Sequence, residues 1–244
     1  MRKFGLIGKS LKHSFSAKYF AEKFENEKIT YCSYSLFELE SIEDVRALIE
    51  REPELCGFNI TIPYKQQIFP YLDSIDIEAE RIGAVNCVKI EAGKLIGYNT
   101  DIVGLRCSME RLLNGASIER ALVLGTGGAS SAVQYMLAEM GVEFELVSRD
   151  PLKSTITYST ISADDVTRAK LIINTTPLGT YPDVESAPQL PYAFVSPSHY
   201  LFDLVYNPPL TQFLSYGQQR GAQILNGQTM LLSQAEESWR IWNR

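Results

Sequence analysis

Histidine is scarce in this chain: only two, His13 and His199, occur in 244 residues. That excludes a His-rich zinc site and leaves acid/base chemistry to lysine, carboxylates and tyrosine. Cysteine is sparse as well, the four residues Cys32, Cys56, Cys87 and Cys107 being widely spaced and never in a CxxC pair. Such thiols read as small buried apolar residues in a reducing compartment. Long apolar runs are lacking. The opening MRKFGLIGKSLKHS returns to charge after FGLIG, too soon for a signal-peptide core, and no later run reaches spanning length. A cytoplasmic location without a membrane partner is expected. Basic excess is missing too: 23 Lys and Arg stand against 29 Asp and Glu, a formal net charge of −6. Nucleic acid is therefore not an expected partner.

What is present is the composition of a folded chain, 45% hydrophobic and 21% charged, and its length suits two domains. Strand and helix patterns alternate, which predicts an α/β fold. Residues 4–8 read as a strand, and Ser16 opens a helix with Tyr19, Phe20 and Phe24 on one side. A strand over 31–37, a helix over 41–51 and a strand over 57–62, ended by Pro63, continue the alternation. Residues 64–71 and 75–82 read as helical, and 85–90 with 94–98 as a hairpin about Ala92-Gly93. The first sheet should thus be mostly parallel with some antiparallel pairing. Beyond Asp101, a helix carrying Val103, Leu105, Met109 and Leu112 leads to a strand over 121–124 and a second βαβ domain. Its further strands are expected at 144–147, 171–173, 200–204 and 223–225, with helices up to Gly141, over 211–220 and from about Gln228. The proline-rich stretch 177–197 reads as a surface connection.

Chemistry-bearing residues gather at the ends of these apolar runs. In Asn59-Ile-Thr-Ile-Pro-Tyr-Lys65, Asn59 and Thr61 alternate onto one side of a strand and Pro63 turns the chain toward Lys65. Taken singly, these are edge-strand polarity and a solvated lysine, while Asn86 and Asp101 are caps or turn residues. Ser14 and Ser16 occupy the first strand-to-helix loop, where two hydroxyls and backbone donors suit a carboxylate. Ser16 alone is equally an ordinary helix cap. Gly125, Gly127 and Gly128 let the backbone approach a pyrophosphate at a helix N-terminus, although Ser130 stands where the usual fingerprint has its third glycine. After the next strand come Ser148-Arg149 and Lys153, cations that favour a 2′-phosphate and hence NADP. Asp150 beside them would repel that phosphate or bind the ribose of NAD. An ordinary surface pair of charges remains the plain alternative.

Eight ordered pieces together resemble the shikimate dehydrogenase family: Ser14-Phe-Ser16, Asn59-Ile-Thr-Ile-Pro-Tyr-Lys65, Gly83-Ala-Val-Asn86, Asn99-Thr-Asp101, Gly125-Thr-Gly-Gly-Ala-Ser130, Asn174-Thr-Thr-Pro, Asp203-Leu-Val-Tyr206 and Gly227-Gln-Thr-Met-Leu-Leu-Ser-Gln234. The resemblance implies NADP-linked interconversion of 3-dehydroshikimate and shikimate, with Lys65 and Asp101 as catalytic pair and no metal. It implies that Ser14, Ser16, Asn59, Thr61, Asn86, Tyr206 and Gln234 surround substrate. On the cofactor side it implies Gly125, Thr126, Gly127, Gly128, Ala129 and Ser130 at the pyrophosphate, Ser148, Arg149 and Lys153 at the 2′-phosphate, and Leu204 and Gly227 beside the nicotinamide. The implied architecture is an N-terminal, mostly parallel α/β substrate domain over 1–101, joined by a C-terminal helix at about 227–244, and a Rossmann-like NADP-binding domain over 102–226. A monomer or homodimer with a small-molecule substrate is expected. Cys87 and Asp150 each replace a common threonine, and 151–161 is short for the family's helix, so NAD and an altered sheet edge stay open. Rival readings are a quinate/shikimate enzyme with relaxed cofactor choice, a folate-type methylene dehydrogenase and a non-catalytic NADP-sensing module.

Overall fold

The computed structural model describes residues 1–12 and 14–244, so His13 lies outside the described residues. The chain divides into two compact units, residues 1–100 with 235–244, and residues 101–234. The first contains β1 (Arg2–Gly8), α1 (Ser16–Asn26), β2 (Cys32–Glu38), α2 (Val45–Arg51), β3 (Leu55–Ile60), β4 (Ser74–Ile75), α3 (Ile77–Ile82), β5 (Cys87–Glu91) and β6 (Lys94–Tyr98). Its sheet runs β2-β1-β3-β5-β6-β4. Strand β1 pairs in parallel with β2 and β3, whereas β5 is antiparallel to both β3 and β6.

Burial explains the order. Phe4 and Ile7 of β1 point to opposite faces and both are fully buried, which puts β1 inside the sheet. Ile7 packs with Val45, Leu48, Phe58, Ile60 and Val88, and Phe4 with Phe20, Phe24 and Trp242. The hairpin turns at Ala92 and Gly93, both at positive φ (50° and 76°), the backbone that matches strand twist in a tight turn. Residues 64–71 depart from the expected helix: they form consecutive turns closing on a short 3-10 segment, Phe69–Tyr71. Pro63 and Pro70 lack amide donors, and the Lys65 carbonyl accepts from Val85 N (2.8 Å) instead of from a following helical turn.

The second unit contains α4 (Asp101–Leu113), β7 (Arg120–Leu124), α5 (Gly128–Glu139), β8 (Glu143–Ser148), β9 (Ile156–Thr157), α6 (Ala163–Arg168), β10 (Leu171–Asn174), β11 (Tyr200–Asp203), α7 (Gln212–Gln219) and β12 (Gln223–Leu225). The last helix, α8 (Gln228–Asn243), begins in this unit and ends in the first. All pairings in its sheet are parallel, in the order β12-β11-β10-β7-β8-β9. The chain moves outward from β7 to β8 and then restarts on the other side at β10, so the topological switch lies between β7 and β10. Both strands are buried throughout their apolar runs. Sequence reading placed no helix at α6, whose capping box joins Ser162 and Asp165. Residues 151–161 carry turns and the two-residue edge strand β9.

Trp242 anchors the end of α8 in the first unit: its ring stacks on Phe4 at 4.7 Å and its Nε1 donates to the Val88 carbonyl at 3.0 Å. Trp242→Ala is expected to cost about 3–5 kcal/mol and to lower the urea midpoint clearly. An unchanged midpoint would show that the chain's last turn is no part of this core.

Candidate active site

In the first unit the polar residues singled out from sequence sit where β3, β5 and β6 run out, and most are tied to one another. Asn59 on β3 accepts at Oδ1 from the Tyr34 hydroxyl (3.0 Å) and donates through Nδ2 to the Asn86 carbonyl (3.2 Å) and to Ser238 Oγ (2.8 Å). Asn86, just before β5, accepts at Oδ1 from the Thr100 amide (2.6 Å) and donates to Thr100 Oγ1 (3.1 Å). Thr100 Oγ1 in turn lies 3.2 Å from Ser238 Oγ. Cys87, standing where the family commonly has threonine, also hydrogen bonds to Ser238, and burial pushes its thiol up to about 12. It is a packing residue with a polar contact, not a nucleophile.

Thr61 follows β3, its amide donating to the Ile7 carbonyl (2.9 Å). Lys65 is half-buried in the turns that follow, pinned through its own carbonyl to the Gly83–Asn86 loop. The Ser14 hydroxyl accepts from Ser16 N (3.3 Å), and Ser16 is the first helical residue of α1, not its cap. Burial raises the Tyr34 phenol well above its ordinary range.

In the second unit, Asp101 is buried in the first turn of α4, where a negative charge complements the helix dipole. Gly125 sits at φ 109° where β7 ends; a side chain there would press on Thr175 Oγ1 (2.8 Å) and Thr176 Cγ2 (3.0 Å). Gly127 and Gly128 have nothing within 4 Å of where a Cβ would stand, and Gly127 leads into α5 with no side-chain cap. That is the form of an anion site at a helix N-terminus. Ser130 faces the interior instead, donating to the Gly125 carbonyl (2.9 Å) and accepting from Gln134 Nε2 (3.1 Å). Thr126 and Ala129 flank the two open glycines and are half-buried.

At the end of β8, Ser148 Oγ accepts from Asp150 N (3.1 Å), and the Asp150 carboxylate accepts from Leu152 N (3.0 Å). The carboxylate thus closes its own turn, leaving Arg149 and Lys153 exposed beside it. Leu204 and Gly227 are brought together: a side chain at Gly227 would collide with the Leu204 carbonyl, so only glycine fits. Tyr206 is half-buried with its phenol raised by burial, and Gln234 is half-buried on α8. His199 Nε2 meets the Val166 carbonyl (3.0 Å) and Nδ1 accepts from Ser196 N (3.0 Å), which makes it a structural residue.

Sequence reading missed Tyr34, Ser238 and Thr211. Thr100 and Thr175 lay inside quoted motifs but were given no role. Ser238 stands 179 positions from Asn59, and no local pattern marks such a partner. Asp203, likewise given no role, is fully buried: Oδ1 accepts from Asn174 Nδ2 (2.9 Å) and Val205 N (3.0 Å), and Oδ2 from Thr211 Oγ1 (2.5 Å). It joins the ends of β10 and β11 to the start of α7, fixing the loop that carries Leu204 and Tyr206.

Comparison with known proteins finds consistent likenesses. The family model described as shikimate dehydrogenase substrate binding domain matches residues 6–88. A shikimate dehydrogenase (NADP(+)) of Methanococcus maripaludis is 36% identical over 254 aligned residues, covering 98% of this chain and 90% of that protein. The crystal structure of shikimate 5-dehydrogenase from Thermus thermophilus in complex with NADP(H) and shikimate has a TM-score of 0.87 at 30% identity, covering 99% and 93% of the two chains. A quinate dehydrogenase from Corynebacterium glutamicum in complex with NAD has a TM-score of 0.88 at 27% identity, with the same coverages of 99% and 93%.

Burial pushes the Asp203 carboxyl up to about 6, against hydrogen bonds from Thr211, Val205 and Asn174 that would lower it. An acid raised in the folded state contributes stability below its unfolded pKa near 3.9, and that contribution is lost as pH rises to about 6. Asp203→Asn, which cannot ionise, should therefore gain roughly 2 kcal/mol on the parent between pH 4 and 7. Urea midpoints of both proteins across that range check it, and a constant difference refutes the assignment.

Proposed function

The chain belongs to the shikimate dehydrogenase family, and on that premise we propose that it reduces 3-dehydroshikimate to shikimate, reversibly, with NADPH. The observation that carries the reading is the combination in one chain of the match over residues 6–88 with a glycine turn at the β7–β10 switch of a parallel sheet. The residues at that turn fit a dinucleotide: Gly127 and Gly128 leave room for a pyrophosphate, and no side chain caps the helix they open. When bound, the nicotinamide supplies or accepts the hydride at the carbinol carbon.

Lys65 is assigned the accompanying proton, given to the oxygen as ketone becomes alcohol and taken back in reverse. Asp101 is assigned the carboxylate of the pair. Ser14, Ser16, Asn59, Thr61, Asn86, Tyr206 and Gln234 are assigned to the substrate's carboxylate and hydroxyls. Gly125 to Ser130, Ser148, Arg149, Lys153, Leu204 and Gly227 are assigned to the cofactor. Residues 1–101 with about 227–244 would then serve the substrate, and 102–226 NADP. The chemistry needs no metal. A cytoplasmic monomer or homodimer acting on a small molecule, without nucleic-acid or membrane partners, belongs to the same reading; no described helix is long and apolar enough to cross a membrane.

One observation favours a second reading, quinate with NAD: the likeness to the NAD-bound quinate dehydrogenase, combined with an acidic residue, Asp150, in the turn after β8. Arg149 and Lys153 support NADP instead.

Lys65→Ala should lower kcat by about 10²–10⁴-fold while changing the KM for shikimate little, since proton transfer belongs to the transition state. Equal kcat in variant and parent removes Lys65 from the chemistry. Arg149→Ala should raise the KM for NADP about tenfold and leave that for NAD unchanged, as loss of a phosphate contact requires. Steady-state oxidation of shikimate and quinate with each cofactor reads all of this, and a parent active only with quinate and NAD establishes the second reading.

A further inference from the structure

Tyr34 occupies β2, outside every motif quoted above, yet its phenol donates to a residue assigned to substrate, Asn59. Its ring is not free to swing: Phe20 of α1 stacks on it with centroids 4.4 Å apart and planes 13° from parallel. Trp242 lies 6.3 Å away, centroid to centroid. The hydroxyl is therefore delivered to one place by the aromatic cluster of the first unit.

Proton counting fixes the direction of each hydrogen bond there. The Asn86 backbone carbonyl can only accept, so the atom of Asn59 facing it at 3.2 Å is Nδ2, and Oδ1 faces Tyr34. An amide oxygen cannot donate, so the single Tyr34 proton goes to Asn59 Oδ1 (3.0 Å). Both Nδ2 protons of Asn59 have partners, the Asn86 carbonyl and Ser238 Oγ (2.8 Å). What Asn59 can still offer is the second lone pair of Oδ1.

We infer that Tyr34 is a positioning residue of the substrate site, its hydroxyl holding Asn59 to meet a substrate hydroxyl as hydrogen-bond acceptor. The inference rests on the functional reading that Asn59 touches substrate. It adds a residue that acts through Asn59, and it gives the Asn59 contact a polarity: a ring hydroxyl donates to it.

Tyr34→Phe removes one oxygen and keeps the stacked ring. In steady-state oxidation of shikimate with NADP, the KM for shikimate should rise about tenfold, the difference made by roughly one neutral hydrogen bond. The KM for NADP and kcat should stay within about twofold. Because Tyr34 acts through Asn59, the same substitution in an Asn59→Ala background should cost threefold or less. A merely structural role would raise both KM values or lower the melting temperature in step with activity. Overturning results are an unchanged shikimate KM, equal rises for shikimate and NADP, or full additivity with Asn59→Ala. A parent protein that does not oxidise shikimate overturns the functional reading itself and this role with it, whereas a working parent with an indifferent Tyr34→Phe overturns this role alone.

Discussion

A buried amide side chain left without partners costs on the order of 1–3 kcal/mol per unmet group, and the first unit meets that demand at buried Asn86 and, in part, at half-buried Asn59. Strand ladders cannot do it, since both residues lie where β3 and β5 give out. The partners come from far away in sequence: Tyr34 on β2, Thr100 after β6 and Ser238 on α8. Their convergence explains why the end of α8 belongs with the first unit rather than with the sheet beside which the helix begins. Trp242, one helical turn past Ser238, secures that end with an apolar stack and one hydrogen bond.

The second unit meets a different demand, that of ending strands abruptly without leaving carbonyls unsatisfied. The Leu124 carbonyl receives both the amide (2.9 Å) and the hydroxyl (2.7 Å) of Thr175, while Ser130 takes up that of Gly125. With the inner side of the turn saturated in this way, Gly127 and Gly128 present an uncluttered outer side. Asp203 performs the corresponding task at the other strands, drawing Asn174, Val205 and Thr211 onto one buried carboxyl. Polar groups thus fix the loops after β7 and β11 from behind, the kind of support a preorganised site requires.

Cofactor choice depends on a smaller balance. Asp150 next to Arg149 puts opposite charges side by side at the turn after β8, and the Asp150 carboxylate is engaged with the Leu152 amide. Engaged in that way it completes a turn, and the exposed cations flanking it, Arg149 and Lys153, are what the proposed preference for NADP rests on. Cys87 is similarly benign: its thiol keeps a hydrogen bond to Ser238 while its bulk stays in the core.

Local rules made most of the frame legible. Alternating βα patterns, the Ala92-Gly93 turn and the glycine turn after β7 each follow from backbone preferences spanning a few residues. The motifs around Asn59, Lys65, Asn86 and Asp101 were visible as polar groups at strand ends. Residues 64–71 defied the same rules because the Lys65 carbonyl has a nonlocal partner in Val85, a competition no window of sequence contains. α6 was overlooked although its Ser162–Asp165 capping signature was present. By itself, then, the order of amino acids determined the two α/β units, the reaction family and the residues placed at the ends of strands, since those depend on periodicity and short motifs. Only the tertiary structure decided that Tyr34, Ser238 and Thr100 lock the asparagines, and that Asp203 is held by Asn174 and Thr211. Each of those outcomes is a hydrogen bond between groups distant along the chain, whose partners are chosen by the packing of sheets and helices and by nothing nearer.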